Sequence, residues 1–128
     1  MNQVQILLLS EVFLSKDLLD SALSKSSISY QFSITGSIND ALQRINLGSC
    51  QILVTDTYMI APIPEDVILQ MIQLNRNVSF LLISYSHEEQ SILDWFDFGF
   101  TDVVTSNNPL SLILSIKREF RIHQNTYN

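Results

Sequence analysis

The sequence predicts a doubly wound α/β domain, a parallel five-stranded sheet with helices on both faces. Short continuous apolar runs at 4–9, 52–54 and 78–83 have the pattern of strands covered on both sides. Stretches with apolar residues at helical spacing separate them, so strand and helix alternate and each crossover carries the chain back to the same edge. At 128 residues, 46% of them hydrophobic, the chain can bury one core and would starve a second.

The first strand runs from Val4 to Leu9 and stops at the polar pair Ser10 and Glu11. A helix is expected from Ser15 as its N-cap, because Leu18, Leu19, Ala22 and Leu23 recur on one face and Asp17 sits in the first turn. Ile28, Tyr30, Phe32 and Ile34 alternate with polar residues, the period of a half-buried strand near a sheet edge. Ser37 then caps a second helix carrying Ile38, Ala41, Leu42 and Ile45, and Gly48 closes it.

The run from Gln51 to Asp56 is the third strand, and its one acid lies at the carboxyl end. Pro62 and Pro64 break the chain before a third helix from Glu65, with Val67, Ile68, Met71, Ile72 and Leu74 as its apolar stripe. Val78 to Ile83 reads as strand four, ending in Ser84, Tyr85 and Ser86. A helix from about Glu88 to Phe98 stops at Gly99, and Val103 with Val104 forms a short fifth strand. Pro109 opens a last helix whose Leu110, Ile113, Leu114, Ile116 and Phe120 share a stripe, and its polar end from His123 to Asn128 is expected to fray.

Composition removes several classes of function. A net charge of -6 gives no field for a phosphate backbone, so direct nucleic-acid binding is not expected. Lys117, Arg118 and Arg121 fall late in a helix, where cations meet the dipole favourably, and need no further role. The single cysteine, Cys50, cannot form an internal disulfide. The first apolar run is too short for a membrane span and lacks a cationic flank, so the cytoplasm is the expected location and no membrane partner is expected. A flavin or nucleotide site would want a Gly-rich or Ser/Thr/Gly-rich turn after strand one, whereas residues 10–15 contain no glycine and carry Glu11. No Gly-x-Ser-x-Gly is present, which disfavours hydrolase chemistry. His87 and His123 have no metal-ligand spacing.

In doubly wound sheets ligands bind outside the carboxyl ends of the strands, where Ser10, Glu11, Asp56, Ser84 and Ser106 fall. Five strand–helix units in this length, an acid after strand one, Asp56 ending strand three and a hydroxyl ending strand four resemble the receiver domains of two-component signalling. The likeness covers essentially the whole chain. Its most telling stretches are Ile52-Leu53-Val54-Thr55-Asp56-Thr57-Tyr58-Met59, similar to the family's run into its phosphoacceptor, and Phe98-Gly99-Phe100-Thr101-Asp102-Val103-Val104-Thr105, similar to its segment before a Lys-Pro pair.

The resemblance implies a flavodoxin-like (βα)5 fold with strand order 2-1-3-4-5, and one domain over 1–124 with 125–128 as a frayed tail or the start of a linker. It implies that Asp56 accepts a phosphoryl group from a histidine kinase or phosphotransfer protein and that Glu11 and Asp56 hold Mg²⁺ weakly. Ser84 is then the switch hydroxyl, and the chain is a signalling domain, not an enzyme. Output would pass through the face of helix four, strand five and helix five. There Trp95, Phe96, Phe98, Phe100 and Val103 are the expected contacts to a second copy or a flanking signalling domain.

The chain departs from the family at several of these positions. Ser10 stands where a second acid is usual, and Ser106 with Asn107 where Lys-Pro is usual, so the positive charge that would pair with a phosphoryl oxygen is missing. Val103 replaces the switch aromatic, Ile60 a proline, and Trp95, Phe98 and Phe100 replace small residues. These losses keep open a second reading, a pseudo-receiver that works as a phosphorylation-independent interaction module. Nor does the sequence show a DNA-binding or catalytic output region, so a stand-alone regulator and a piece of a larger signalling protein are both expected forms.

Overall fold

The computed structural model describes residues 3–10, 20, 23 and 29–126. Its strands are β1 (Val4–Leu9), β2 (Tyr30–Thr35), β3 (Ile52–Asp56), β4 (Ser79–Ser84) and β5 (Asp102–Thr105). Its helices, numbered in order, are α1 (Ile38–Asn46), α2 (Thr57–Ile60), α3 (Glu65–Leu74), α4 (Glu89–Phe98) and α5 (Pro109–Thr126). The helix expected from Ser15 lies largely outside the described residues; Leu23 within it is helical and buried.

All four strand pairs are parallel and the order is β2-β1-β3-β4-β5, as expected. The three central strands are almost wholly buried because both of their faces carry apolar side chains. The alternating β2 lies at one edge, where Gln31 and Ile34 are exposed and its other residues half-buried, so Ile34, expected on the covered face, meets solvent. Pleating divides the core. Ile6, Leu8, Ile52, Val54 and Leu81 face α5 through its Leu112, Ile116 and Phe120. Leu7, Leu9, Leu53, Phe80 and Leu82 pack with Ala41 and Ile45 of α1, Ile68 and Met71 of α3, and Phe100. Each fully buried side chain of this size contributes about 1.5–3 kcal/mol relative to exposure.

Local signals set the helix boundaries. Ser37 caps α1 by accepting from the Asp40 amide at 3.2 Å. Asn108 does the same for α5, accepting from the Ser111 amide at 3.2 Å. Gly99 ends α4 with φ of 134°, a conformation that L side chains rarely adopt, so the backbone angle calls for glycine, and a Cβ there would also press on Ile72 Cγ2 at 3.3 Å.

Two features differ from expectation. α2 was not foreseen: it is a single turn begun by Asp56, whose side chain caps it, in a segment too short to show periodicity. α5 continues to Thr126 rather than fraying from His123, because His123 is buried and hydrogen-bonded to β4. Among the described residues, no helix is long and apolar enough to cross a membrane.

Candidate functional site

The strand order reverses between β1 and β3, and a crevice opens at the carboxyl ends of such a pair because their crossovers leave on opposite sides. Ser10 follows β1 and Asp56 ends β3, so topology places them on the two sides of this point. Asp56 is 1% exposed and Ser10 4% exposed. The carboxylate is held at both oxygens: the Met59 amide donates to Oδ1 at 2.9 Å, and the Ser10 hydroxyl donates to Oδ2. Extended backbone at Asp56 aims its side chain along the start of α2, whose free amide it satisfies. Thr55 fixes the adjacent strands by donating from Oγ1 to the Leu9 carbonyl at 2.8 Å.

Beside the carboxylate is an open depression of about 540 Å³, lined by Gly36, Ile38, Asp56, Tyr58, Met59, Pro62 and Ile63. Asp56 is the acid of this lining and the rest is largely apolar. Tyr58, 70% exposed, stacks on Tyr85 with ring centroids 4.4 Å apart. Tyr85 is anchored by its amide, which donates to Thr57 Oγ1 at 3.3 Å. Burial, then the negative charge of Asp56, then Tyr58 hold the Tyr85 hydroxyl above its usual pKa, so it stays protonated.

Ser84 ends β4 and is fully buried, with its hydroxyl donating to the Ser86 carbonyl at 2.8 Å. It is thus occupied within its own loop. Ser106 is exposed; its amide donates to the Ser84 carbonyl at 2.9 Å, and its hydroxyl lies 3.4 Å from His87 Nε2. Glu11 lies outside the described residues. Among the described residues, no three acidic, histidine or cysteine side chains converge. By themselves the described donors fall short of Mg²⁺, which wants several oxygens in a near-octahedral shell: they offer one carboxylate, whose oxygens already accept hydrogen bonds, so any binding there is weak.

The aromatic cluster on the expected output face divides. Phe96 is 51% exposed, Trp95, Phe98 and Val103 are half-buried, and Phe100 is 2% exposed. Phe100, counted among the surface contacts from sequence, packs edge-on to Trp95 at 6.0 Å and underlies the face instead of forming it. Leu93 on α4 and Leu110 and Leu114 on α5 are exposed as well.

Sequence reading missed the Tyr58 and Tyr85 pair and the part played by Ser10. Tyr58 lies two residues past Asp56 and Tyr85 one past Ser84, so position at strand ends was the available signal. Ser10 drew notice only as a lost acid, although a hydroxyl next to a buried carboxylate is a natural donor.

These features define a doubly wound α/β domain with a buried acid at its switch point, the fold of response regulator receiver domains. A response regulator from Thermotoga maritima is similar over 94% of this chain and 99% of that one, with a TM-score of 0.69 at 11% identity. An orphan response regulator of H. pylori gives 0.66 at 11% identity, over 91% of this chain and 96% of its own. A pilus assembly-related protein from Burkholderia pseudomallei gives 0.68 at 22% identity, over 93% and 90%. No family model and no curated relative matches the sequence.

Proposed function

We propose that the chain is a receiver domain of a two-component phosphorelay, with Asp56 as phosphoacceptor. The observation that carries this reading is a buried carboxylate at the switch point of a receiver fold, beside an open depression. The two bonds to Asp56 are unequal in what they allow. The Met59 amide is fixed in the first turn of α2, whereas the Ser10 hydroxyl can rotate, so Oδ2 is the oxygen free to attack phosphorus. A phosphohistidine of a kinase or phosphotransfer protein is the donor on this reading, and the histidine nitrogen leaves as the acyl phosphate forms. Ser84 would exchange the Ser86 carbonyl for a phosphoryl oxygen. Output would pass through the face of α4, β5 and α5, where Phe96 stands exposed.

In this reading the domain covers 1–124, acts in the cytoplasm and receives a signal instead of turning over a substrate. A divalent cation enters it only as a weak ligand shared by Glu11 and Asp56. The test is incubation with phosphoramidate or acetyl phosphate, followed by intact mass. One added phosphoryl group, lost in Asp56→Asn, supports the reading; no gain in a folded wild-type protein rejects it.

A second reading, the pseudo-receiver, is favoured by the same site. Both Asp56 oxygens already have partners within the chain, and Ser106 presents a neutral hydroxyl where the resemblance places lysine. Absence of labelling with an intact partner-binding face is its signature.

A further inference from the structure

We propose that Ser79, Glu119 and His123 form an acid-sensitive clasp, which holds the C-terminal turns of α5 on the sheet and releases them when His123 takes up a proton. The cluster lies at the amino end of β4, away from the strand ends that carry Asp56, and does not depend on how that site works. Ser79 begins β4, and Glu119 and His123 are one helical turn apart on α5, so both reach the same hydroxyl. All three are buried, at 6%, 4% and 9% exposure.

The protons in this cluster can be assigned. A carboxylate only accepts, so the one proton of Ser79 Oγ goes to Glu119 Oε1, 2.8 Å away. Ser79 Oγ, its proton given to Glu119, must then accept from His123 Nε2, 2.9 Å away, which puts the proton of the neutral ring on Nε2. Added acid therefore charges the ring at Nδ1.

That charge has little to pair with. On α5 the anion facing His123 is Glu119, but its other oxygen, Oε2, already accepts from Arg118 Nε at 3.2 Å. β5 contributes Asp102, whose carboxylate binds Arg118 at 2.9 Å and Ser115 at 2.7 Å, so it steadies the arginine and not the imidazole. β4 contributes the neutral Ser79. Among the described residues, no other titratable side chain is hydrogen-bonded to His123. Burial accordingly outweighs the attraction of Glu119 and holds the ring below its usual pKa of 6.5.

The sign follows. A base with a depressed folded pKa takes up a proton more readily in the opened state, so the clasp is whole above 6.5 and weakens as pH falls from there toward the depressed value. One proton changes the opening constant by at most about tenfold per pH unit.

The experiment follows the His123 ring by NMR from pH 8 to 5 and measures amide-exchange protection along α5 at both ends of that range. The expected result is titration below 6.5, with protection of the last turns falling on acidification by up to about tenfold per pH unit. His123→Gln keeps an N–H donor without a titrating ring and should remove the pH dependence, whereas the exposed His87→Gln should not. Wild-type titration at or above 6.5, or equal acid sensitivity in His123→Gln, overturns the proposal; the wild-type titration decides even if the variant fails to fold.

Discussion

Replacing Ser10 by alanine tests the bond at the centre of the site. The hydroxyl donates to Oδ2 of a carboxylate that is 1% exposed, and its own residue is 4% exposed, so water has little access to take its place. A hydrogen bond to a charged group contributes about 1.5–3 kcal/mol, and leaving the charged partner short of a donor puts the loss in the upper part of that range. For a chain of 128 residues, each kcal/mol moves the melting temperature by about 3–6 °C, so Ser10→Ala should melt roughly 7–18 °C lower. Because Ser10 can touch more than Asp56, the pair is isolated by a double-mutant cycle with Asp56→Ala, read by urea denaturation. A coupling of about 1.5 kcal/mol or more is expected. A coupling under roughly 0.5 kcal/mol would refute the view that Ser10 is the principal donor to this carboxylate.

Four further outcomes are expected. Ser106→Lys restores a cation near the strand ends, and should raise phosphodonor labelling or lengthen the life of the product; equal labelling and decay in both proteins count against the missing charge as the limit. Mg²⁺ followed by amide shifts should bind weakly and only where Asp56 is present, so unchanged affinity in Asp56→Ala rules out the pocket. Phe100→Ala should cost about 3–5 kcal/mol because the ring is buried, whereas Phe96→Ala should barely alter stability and should weaken any concentration-dependent association seen by sedimentation. Burial pushes the Cys50 thiol up to about 12, so it should resist thiol reagents until the protein unfolds, and its contribution to stability should fall as pH rises from 9 toward 12; fast labelling of the native protein at neutral pH would contradict this.

Much of this molecule was legible in one dimension, for a physical reason. Strands covered on both sides must be apolar throughout, so Val4–Leu9 and the run into Asp56 announced themselves, and alternation marked β2 as an edge. Capping and turn chemistry are equally local, which is why Ser37 and Gly99 could be placed before any tertiary contact was known. The position of Asp56 at a strand end followed from the same pattern.

Only the tertiary structure decided what each polar side chain does there. Hydrogen-bond partners of Asp56 come from Ser10 just past β1, 46 residues away, and from a single helical turn too short to leave a periodic trace. Which ring of the aromatic cluster faces solvent depends on how α4 rolls against Phe100 and α3, so Phe96 emerged and Phe100 went inside. Ser79, Glu119 and His123 had no shared signal in the sequence, since 40 residues separate the first two, and a buried polar group reveals its partner only once the chain has folded around it.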